Sequence, residues 1–245
     1  MHKSETRFGF QSQSPVDESV RLDVWEREYG HLHSIPGSLR ESPAKILLEL
    51  WRYLPKLPPS PHVLDAGCGA GRNALHLAGE GCRVEAVDSC SAALEIFRSR
   101  LSKASCRDLV KMRQLSLAPV MPFDTGTFDV VLDLYVSCHF LETKAVSGYW
   151  KELRRILAVG GFALTAFFGT RDQYYSSLIS KSSLHAFSVV QDPLNGIAKR
   201  LYTSRQLEEF FDPLFSIHKA MSLAFDDVVQ GRVYQREILG ILLRK

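Results

Sequence analysis

The chain has 245 residues, 45% of them hydrophobic and 23% charged, the size and composition of one soluble domain with a substantial core. Its net charge of +3 is too small to argue for nucleic acid or a membrane surface as a partner, and no apolar run approaches the roughly 18 residues of a membrane span. The opening residues, MHKSETRFGFQSQSP, lack the apolar centre of a secretory signal. Five cysteines without paired spacing predict reduced thiols, a cytoplasmic location and no structural zinc.

Residues 1 to about 18 are polar and punctuated by proline, the pattern of a mobile tail. Leu22, Trp25, Glu26 and Tyr29 predict a short helix, and a turn-rich stretch follows over residues 31–40. Ser42 and Pro43 read as N-cap and first position of a helix whose apolar face is Ile46, Leu47, Leu50, Trp51 and Leu54. Pro55, Pro58, Pro59 and Pro61 end it. Strands are then predicted over residues 63–66, 83–87, 110–115, 128–133 and 162–168, with helices over 73–78, 92–101 and 145–157 between them. Such alternation predicts an α/β fold with a doubly wound, mostly parallel sheet, and ligands at the carboxyl ends of its strands. Asp65, Asp88 and Asp133 fall at such ends. Residues 169–202 are a long insertion. Thr203 and Gln206 form a capping box for a helix through Leu207, Phe210 and Phe211, and residues 217–225 and 236–243 read as two closing strands.

The most specific stretch is His62 to Ala78, HVLDAGCGAGRNALHLA. A strand ends in Asp65, glycines stand at the alternate positions 67, 69 and 71, and a helical pattern begins. Glycine permits positive φ and close approach of backbone N–H groups to a ligand. The dinucleotide fingerprint G-x-G-x-x-G would need its third glycine at position 72, which is Arg72. The acid before the turn suits a ligand carrying a cationic group better than a pyrophosphate.

Asp65-Ala66-Gly67-Cys68-Gly69-Ala70-Gly71 matches without a gap the D/E-x-G-x-G-x-G motif of class I S-adenosylmethionine-dependent methyltransferases, and the chain resembles that family from about Ser42 to Lys245. The resemblance implies a seven-stranded Rossmann-like sheet closed by a C-terminal antiparallel hairpin. It implies residues 42–245 as the methyltransferase domain with 169–202 as a cap, and residues 1–41 as tail and lid. The cofactor would be S-adenosylmethionine, with Asp65, Gly67, Cys68, Gly69 and Gly71 near its methionine part and Asp88 and Ser89 at the ribose. Asp88 also reads as a cap for the following helix. Adenine would meet Ser116 or Leu117, where many relatives have an acid; Ser116 also reads as a plain strand-end serine.

The segment Asp133 to His139 would line the pocket where cofactor meets acceptor, with Asp133 counted among the cofactor residues and His139 and Tyr135 as candidate catalytic side chains. His139 reads either as a general base near neutral pH or as a wall histidine with a structural bond. Cys138 reads as a small buried hydrophobe. The pattern W-E-x-x-Y…I-P-x-S-x-R-x-x-P, from Trp25 to Pro43, resembles the lid of many small bacterial relatives. Trp25 and Tyr29 would then offer aromatic faces to a sulfonium, worth about 0.5–2 kcal/mol, and Arg40 a partner to a carboxylate. Equally, the two rings read as the packing face of a surface helix.

Asp133-Leu134-Tyr135-Val136 replaces the Asn/Asp-Pro-Pro-Tyr/Phe element that methyltransferases of base amino groups often use. The expectation is therefore methyl transfer to a small molecule, with no nucleic acid, membrane or metal as partner. Methylation of RNA or protein, cofactor binding without catalysis, and a dehydrogenase are the alternatives. No residue pattern selects the acceptor atom or an oligomeric state.

Overall fold

The structure, a computed structural model, describes residues 18–35, 37–117, 120–179 and 188–245. Strand β1 (His62–Ala66) is central and buried from Val63 onward. It pairs in parallel with β2 (Arg83–Asp88) on one side and β4 (Phe128–Leu134) on the other. β3 (Val110–Gln114) extends the sheet beyond β2, and β5 (Leu157–Phe168) extends it beyond β4. β9 (Arg232–Arg244) then adds antiparallel to β5, and β8 (Ser216–Val229) closes the edge, giving the order β3-β2-β1-β4-β5-β9-β8. The chain leaves β1 toward β2 and later returns to its other side at β4. The crevice at the carboxyl ends of these strands is the switch point where ligands bind in such sheets.

The central strands read as apolar runs because both faces are covered. α2 (Lys45–Trp51), α3 (Arg72–Gly79) and α4 (Ser91–Leu101) pack on one face through Leu47, Leu50, Leu77, Leu94 and Phe97. α5 (Thr143–Ile156) and α7 (Ser204–Phe211) cover the other around the fully buried Trp150. The capping box of α7 is formed as expected, with the Thr203 hydroxyl accepting from the Gln206 amide and the Gln206 side chain accepting from the Thr203 amide.

Three segments differ from the sequence expectation. Ser42 does not cap α2: the helix begins at Lys45 behind Ala44, whose amide is taken by Asn73 Oδ1 at 3.0 Å, a partner 29 residues away. α2 also stops at Trp51, before Leu54. β5 starts at Leu157, five residues early, because Leu157 pairs with Phe128 and the register shifts between Phe128 and Val130. The closing hairpin is longer than its apolar cores, with β8 of 14 residues and β9 of 13. Its outer part alternates polar and apolar residues and reads as loop when only buried stretches are counted.

Before the sheet, α1 (Glu18–Arg27) runs into a π-helical turn, Glu28–Leu32, that ends at His33 with φ 46°. Glu28 is buried and accepts from the Ser34 hydroxyl at 2.7 Å and the Ile35 amide at 2.8 Å, which ties the exit of the turn. The tail expected over residues 1 to about 18 lies outside the described residues, save Glu18. The insertion after β5 contributes a short helix, α6 (Gln173–Ser176), and a two-stranded antiparallel ribbon, β6 (Ser188–Gln191) and β7 (Ala198–Leu201).

Candidate functional site

The carboxyl ends of β1, β2, β4 and β5 open into one cleft of about 1,790 Å³. Pockets for a single drug-sized ligand span about 300–1,000 Å³, so this one has room for two. Its floor is the turn between β1 and α3. The Gly67 and Cys68 amides both donate to the Val87 carbonyl, at 2.8 and 3.0 Å, and fasten the turn to β2. The Gly69 amide donates to Asp88 Oδ2 at 2.8 Å, while the Cys90 amide donates to Asp88 Oδ1 at 2.9 Å. Asp88 thus shapes the turn and the start of α4 together. A carboxylate offers about four lone-pair sites, so acceptor capacity remains for a ligand. Burial pushes the Asp88 carboxyl up, against the pull of the Cys90 and Gly69 amides.

The three glycines serve different ends. Gly69 has φ 53°, and a Cβ there would overlap the Tyr29 hydroxyl, so the lid comes down directly onto the turn. Gly71 has φ 81° and lies outside the cleft wall; a Cβ there would enter the Phe97 ring of α4. Its requirement is packing, which corrects the expectation that it faces the cofactor. Gly67 does line the cleft, beside Val136.

Asp65 lies beneath the turn, 2% exposed and outside the cleft wall, with no hydrogen-bond partner on Oδ2. Burial, then the nearby Asp88, pushes its carboxyl up to about 7. Arg72 follows Gly71 as the first residue of α3, lines the cleft, and enters no ion pair among the described residues. A cation at a helix N-terminus opposes the helix dipole, so its placement there is costly without an anion. Arg40, expected to meet a ligand carboxylate, instead pairs with Asp227 of β8 at 3.0 Å and remains half exposed.

β4 ends in a bracket. Asp133 is fully buried and accepts from the Ser137 amide at 2.9 Å, the Ser137 hydroxyl at 2.5 Å and the Thr165 hydroxyl at 2.9 Å. Burial pushes its carboxyl up to about 6. Side chains alternate along a strand, so Asp133 points with Val131 toward α5 and away from the cleft. This corrects its expected place among the cofactor residues. The bracket instead sets the turn that presents Tyr135 and His139. Tyr135 has φ 66°, an uncommon backbone state for a bulky residue and one found at functional sites. Burial pushes its hydroxyl up to about 12.

His139 Nδ1 lies 2.8 Å from the Ala198 carbonyl of β7. A carbonyl only accepts, so Nδ1 carries the hydrogen and Nε2 is the basic nitrogen of the neutral ring. Cys138 is fully buried, as a small hydrophobe. Ser89, Ser116 and Leu117 all reach the cleft wall.

Two elements close over this floor. On the lid, Glu26 accepts from the Ser91 and Ala92 amides at 2.6 and 3.0 Å and so caps α4, while Trp25 stands perpendicular to His139. The Asn195 side chain of the insertion donates to Ser34 Oγ of the lid at 3.0 Å. Among the described residues there is no cluster of acids, histidines and cysteines suited to a metal, and no helix long and apolar enough to cross a membrane.

Residues 63–161 match the family described as "Methyltransferase domain". That stretch holds the glycine turn, Asp88, and Asp133 with Ser137 of the β4 bracket. Over this stretch the chain is similar to class I S-adenosylmethionine-dependent methyltransferases. The chain is 31% identical over 115 residues to the ubiquinone biosynthesis O-methyltransferase of Methylocella silvestris, an alignment that covers 47% of this chain and 43% of that protein. It thus spans less than half the length of that curated relative. The fold is shared with a solved S-adenosylmethionine-dependent methyltransferase of Methanosarcina mazei, with TM-score 0.66, 19% identity, and 83% and 98% of the two chains covered. It is also shared with the 1,6-didemethyltoxoflavin-N1-methyltransferase of Burkholderia thailandensis, solved with its namesake compound and S-adenosylhomocysteine, with TM-score 0.63, 16% identity, and 96% and 93% covered.

Four residues at or beside the cleft are not marked as site residues by the sequence. Arg72 had a signal, a cation opening a helix right after a glycine turn. Glu26 was read only as part of a helix, although it caps α4. Lys199 and Arg236 both line the cleft, from β7 and β9, and no motif surrounds either.

Proposed function

We propose that this chain transfers the methyl group of S-adenosylmethionine to a small-molecule acceptor. One observation carries the reading: a buried carboxylate, Asp65, with no partner on Oδ2, and a guanidinium, Arg72, in no ion pair among the described residues, flank a glycine turn organised by Asp88. These are complements to the ammonium and carboxylate of an amino acid and to the hydroxyls of a ribose. When bound, the cofactor supplies a methyl group activated on a cationic sulfur.

The chain's own residues bind and orient. Arg72 holds the carboxylate of the methionine part, Asp65 favours its ammonium from beneath the turn, and Asp88, beside Ser89, accepts from the ribose. Ser116 and Leu117 border the adenine. Trp25, Tyr29 and the described part of the insertion, residues 169–179 and 188–202, exclude water as lid and cap. Tyr135 and His139 border the acceptor. A methyl group on sulfur already has a good leaving group, so positioning and electrostatics supply most of the acceleration. The modest net charge favours a small acceptor over RNA.

The test is calorimetric titration of S-adenosylhomocysteine into the wild type and Asp88→Ala, followed by assay of S-adenosylhomocysteine formation over an acceptor panel. Binding that the variant loses by about tenfold or more supports the cofactor site. Absence of binding to the wild type overturns the reading.

A further inference from the structure

The part of the cleft walled by the insertion has a chemistry that the cofactor reading does not use. Lys199 of β7 is 2% exposed, yet it lines the cleft. Its ammonium donates to the Tyr175 hydroxyl at 2.5 Å and lies over the rings of Tyr175 and Phe168, at 4.0 and 5.2 Å from their centroids. It is in no ion pair among the described residues.

The nearby carboxylates are already engaged. Asp172 accepts from Arg236 at 2.7 Å and from the Tyr175 amide at 3.0 Å. Asp192 accepts from the Tyr174 hydroxyl at 2.8 Å and the Leu194 amide at 3.0 Å. An ammonium has three donors, and one is used. A buried ammonium without a counter-ion is costly, and a ligand anion is the partner that removes the cost. Arg236 lines the same wall, with its charge balanced by Asp172 and by Asp227 at 3.7 Å. The walls are aromatic: the Tyr135 and Phe168 rings lie 5.2 Å apart at 31°, and Phe168 and Tyr175 lie 4.9 Å apart, edge to face at 73°.

We infer that this part of the cleft receives a planar aromatic anion, with its charged oxygen on the Lys199 ammonium and its ring against Phe168, Tyr135 and Tyr175. The inference names the class of acceptor for the methyl-transfer reading and rests on that reading. A carboxylate and a phenolate share this chemistry. Lys199 is here a binding residue for the acceptor; the cofactor residues lie on other strands.

The experiment titrates four ring compounds into the wild type with S-adenosylhomocysteine present: benzoate against its neutral isostere benzamide, and 4-nitrophenolate against 4-nitroaniline. Each anion is expected to bind at least about tenfold tighter than its neutral partner, the scale of one charge-assisted hydrogen bond. Preference within the first pair alone assigns a carboxylate, and within the second alone a phenolate; either supports the inference. In Lys199→Met the preference is lost while S-adenosylhomocysteine binds as in the wild type, and Lys199→Arg restores it in part.

Equal binding within both pairs overturns the inference, even if Lys199→Met fails to fold. So does a Lys199→Met protein that keeps the preference. A wild type that prefers the anions but does not bind S-adenosylhomocysteine leaves the anion pocket standing and sinks the cofactor reading instead.

Discussion

The rings of Trp25 and His139 stand at 88° with their centroids 5.1 Å apart, which joins the lid to the turn after β4. Through its other side His139 reaches the Ala198 carbonyl, one residue before Lys199. Lid, β4 turn and insertion therefore meet at one imidazole. His139→Ala removes one part-buried hydrogen bond and one ring contact, about 1–2 kcal/mol of support for the acceptor wall. The expected outcome in steady-state kinetics is a rise of about tenfold in acceptor KM with unchanged affinity for S-adenosylhomocysteine. A fall in kcat of about 10² or more at constant KM, with loss of a pH dependence near neutrality, would instead mark His139 as a general base.

Gly69→Ala asks a residue with a Cβ to hold φ 53° where the Tyr29 hydroxyl already sits. The strain is about 1–2 kcal/mol, and the overlap displaces the lid. Thermal unfolding and S-adenosylhomocysteine titration are expected to show lower stability and at least about tenfold weaker binding. Tyr29→Phe takes away the clashing oxygen. The double variant should therefore recover part of the lost stability, a coupling that two independent sites would not show.

Two buried carboxyls give the free protein an unusual acid response. Asp65 is pushed up to about 7 and Asp133 to about 6, in each case mainly by burial. A raised carboxyl binds its proton more tightly in the folded than in the unfolded chain. Stability contributed by the protonated forms is therefore absent above about pH 7. It grows as pH falls through 7 and 6, and levels off near the unfolded values of about 4. Tm is expected to rise from pH 8 to pH 5.5, and Asp65→Asn should remove the upper part of that rise. A cationic ligand group favours the ionised form. Cofactor binding near pH 6.5 should consequently release a proton, seen as buffer-dependent binding enthalpy, and Asp65→Asn should lose it.

The sheet and the glycine turn were readable because their physics is local. Buried parallel strands show as apolar runs, and a turn with φ of 53° and 81° needs glycine at positions 69 and 71. Contacts made at long range were not readable. Ser42-Pro43 has the form of a helix start, but the helix begins behind Ala44, whose amide donates to Asn73 on another helix. The local pattern offers Arg40 to a ligand, whereas its partner Asp227 is 187 residues away. Asp133 ends a strand as Asp88 does, yet alternation turns it to the opposite face, where Ser137 and Thr165 consume it. Lys199 and Arg236 come together through long-range contacts: β9 pairs with β5, and Tyr202, just after β7, bridges Gly169, just after β5. Neither strand shows a pattern in which a cation stands out.

Glu26 links the lid to the core by capping a helix other than its own. Its carboxylate accepts from the Ser91 and Ala92 amides and the Ser91 hydroxyl at the start of α4, next to Asp88. Burial alone would push this carboxyl up; the Ala92 and Ser91 amides outweigh it and hold the group below the usual carboxylate range. A lowered carboxyl adds stability that is present above its unfolded value, near 4.5, and is lost as pH falls through the lower folded value. Glu26→Gln keeps the shape and removes the charge, and losing a cap of this kind costs about 1 kcal/mol. The lid is expected to open more often, with faster amide exchange at Ser91 and Ala92 and faster cleavage by protease within residues 22–35. Release of S-adenosylhomocysteine should quicken by about five- to tenfold, with little change in association. Unchanged exchange at Ser91 and Ala92 in Glu26→Gln would mean that Tyr29 and Trp25 hold the lid without this contact.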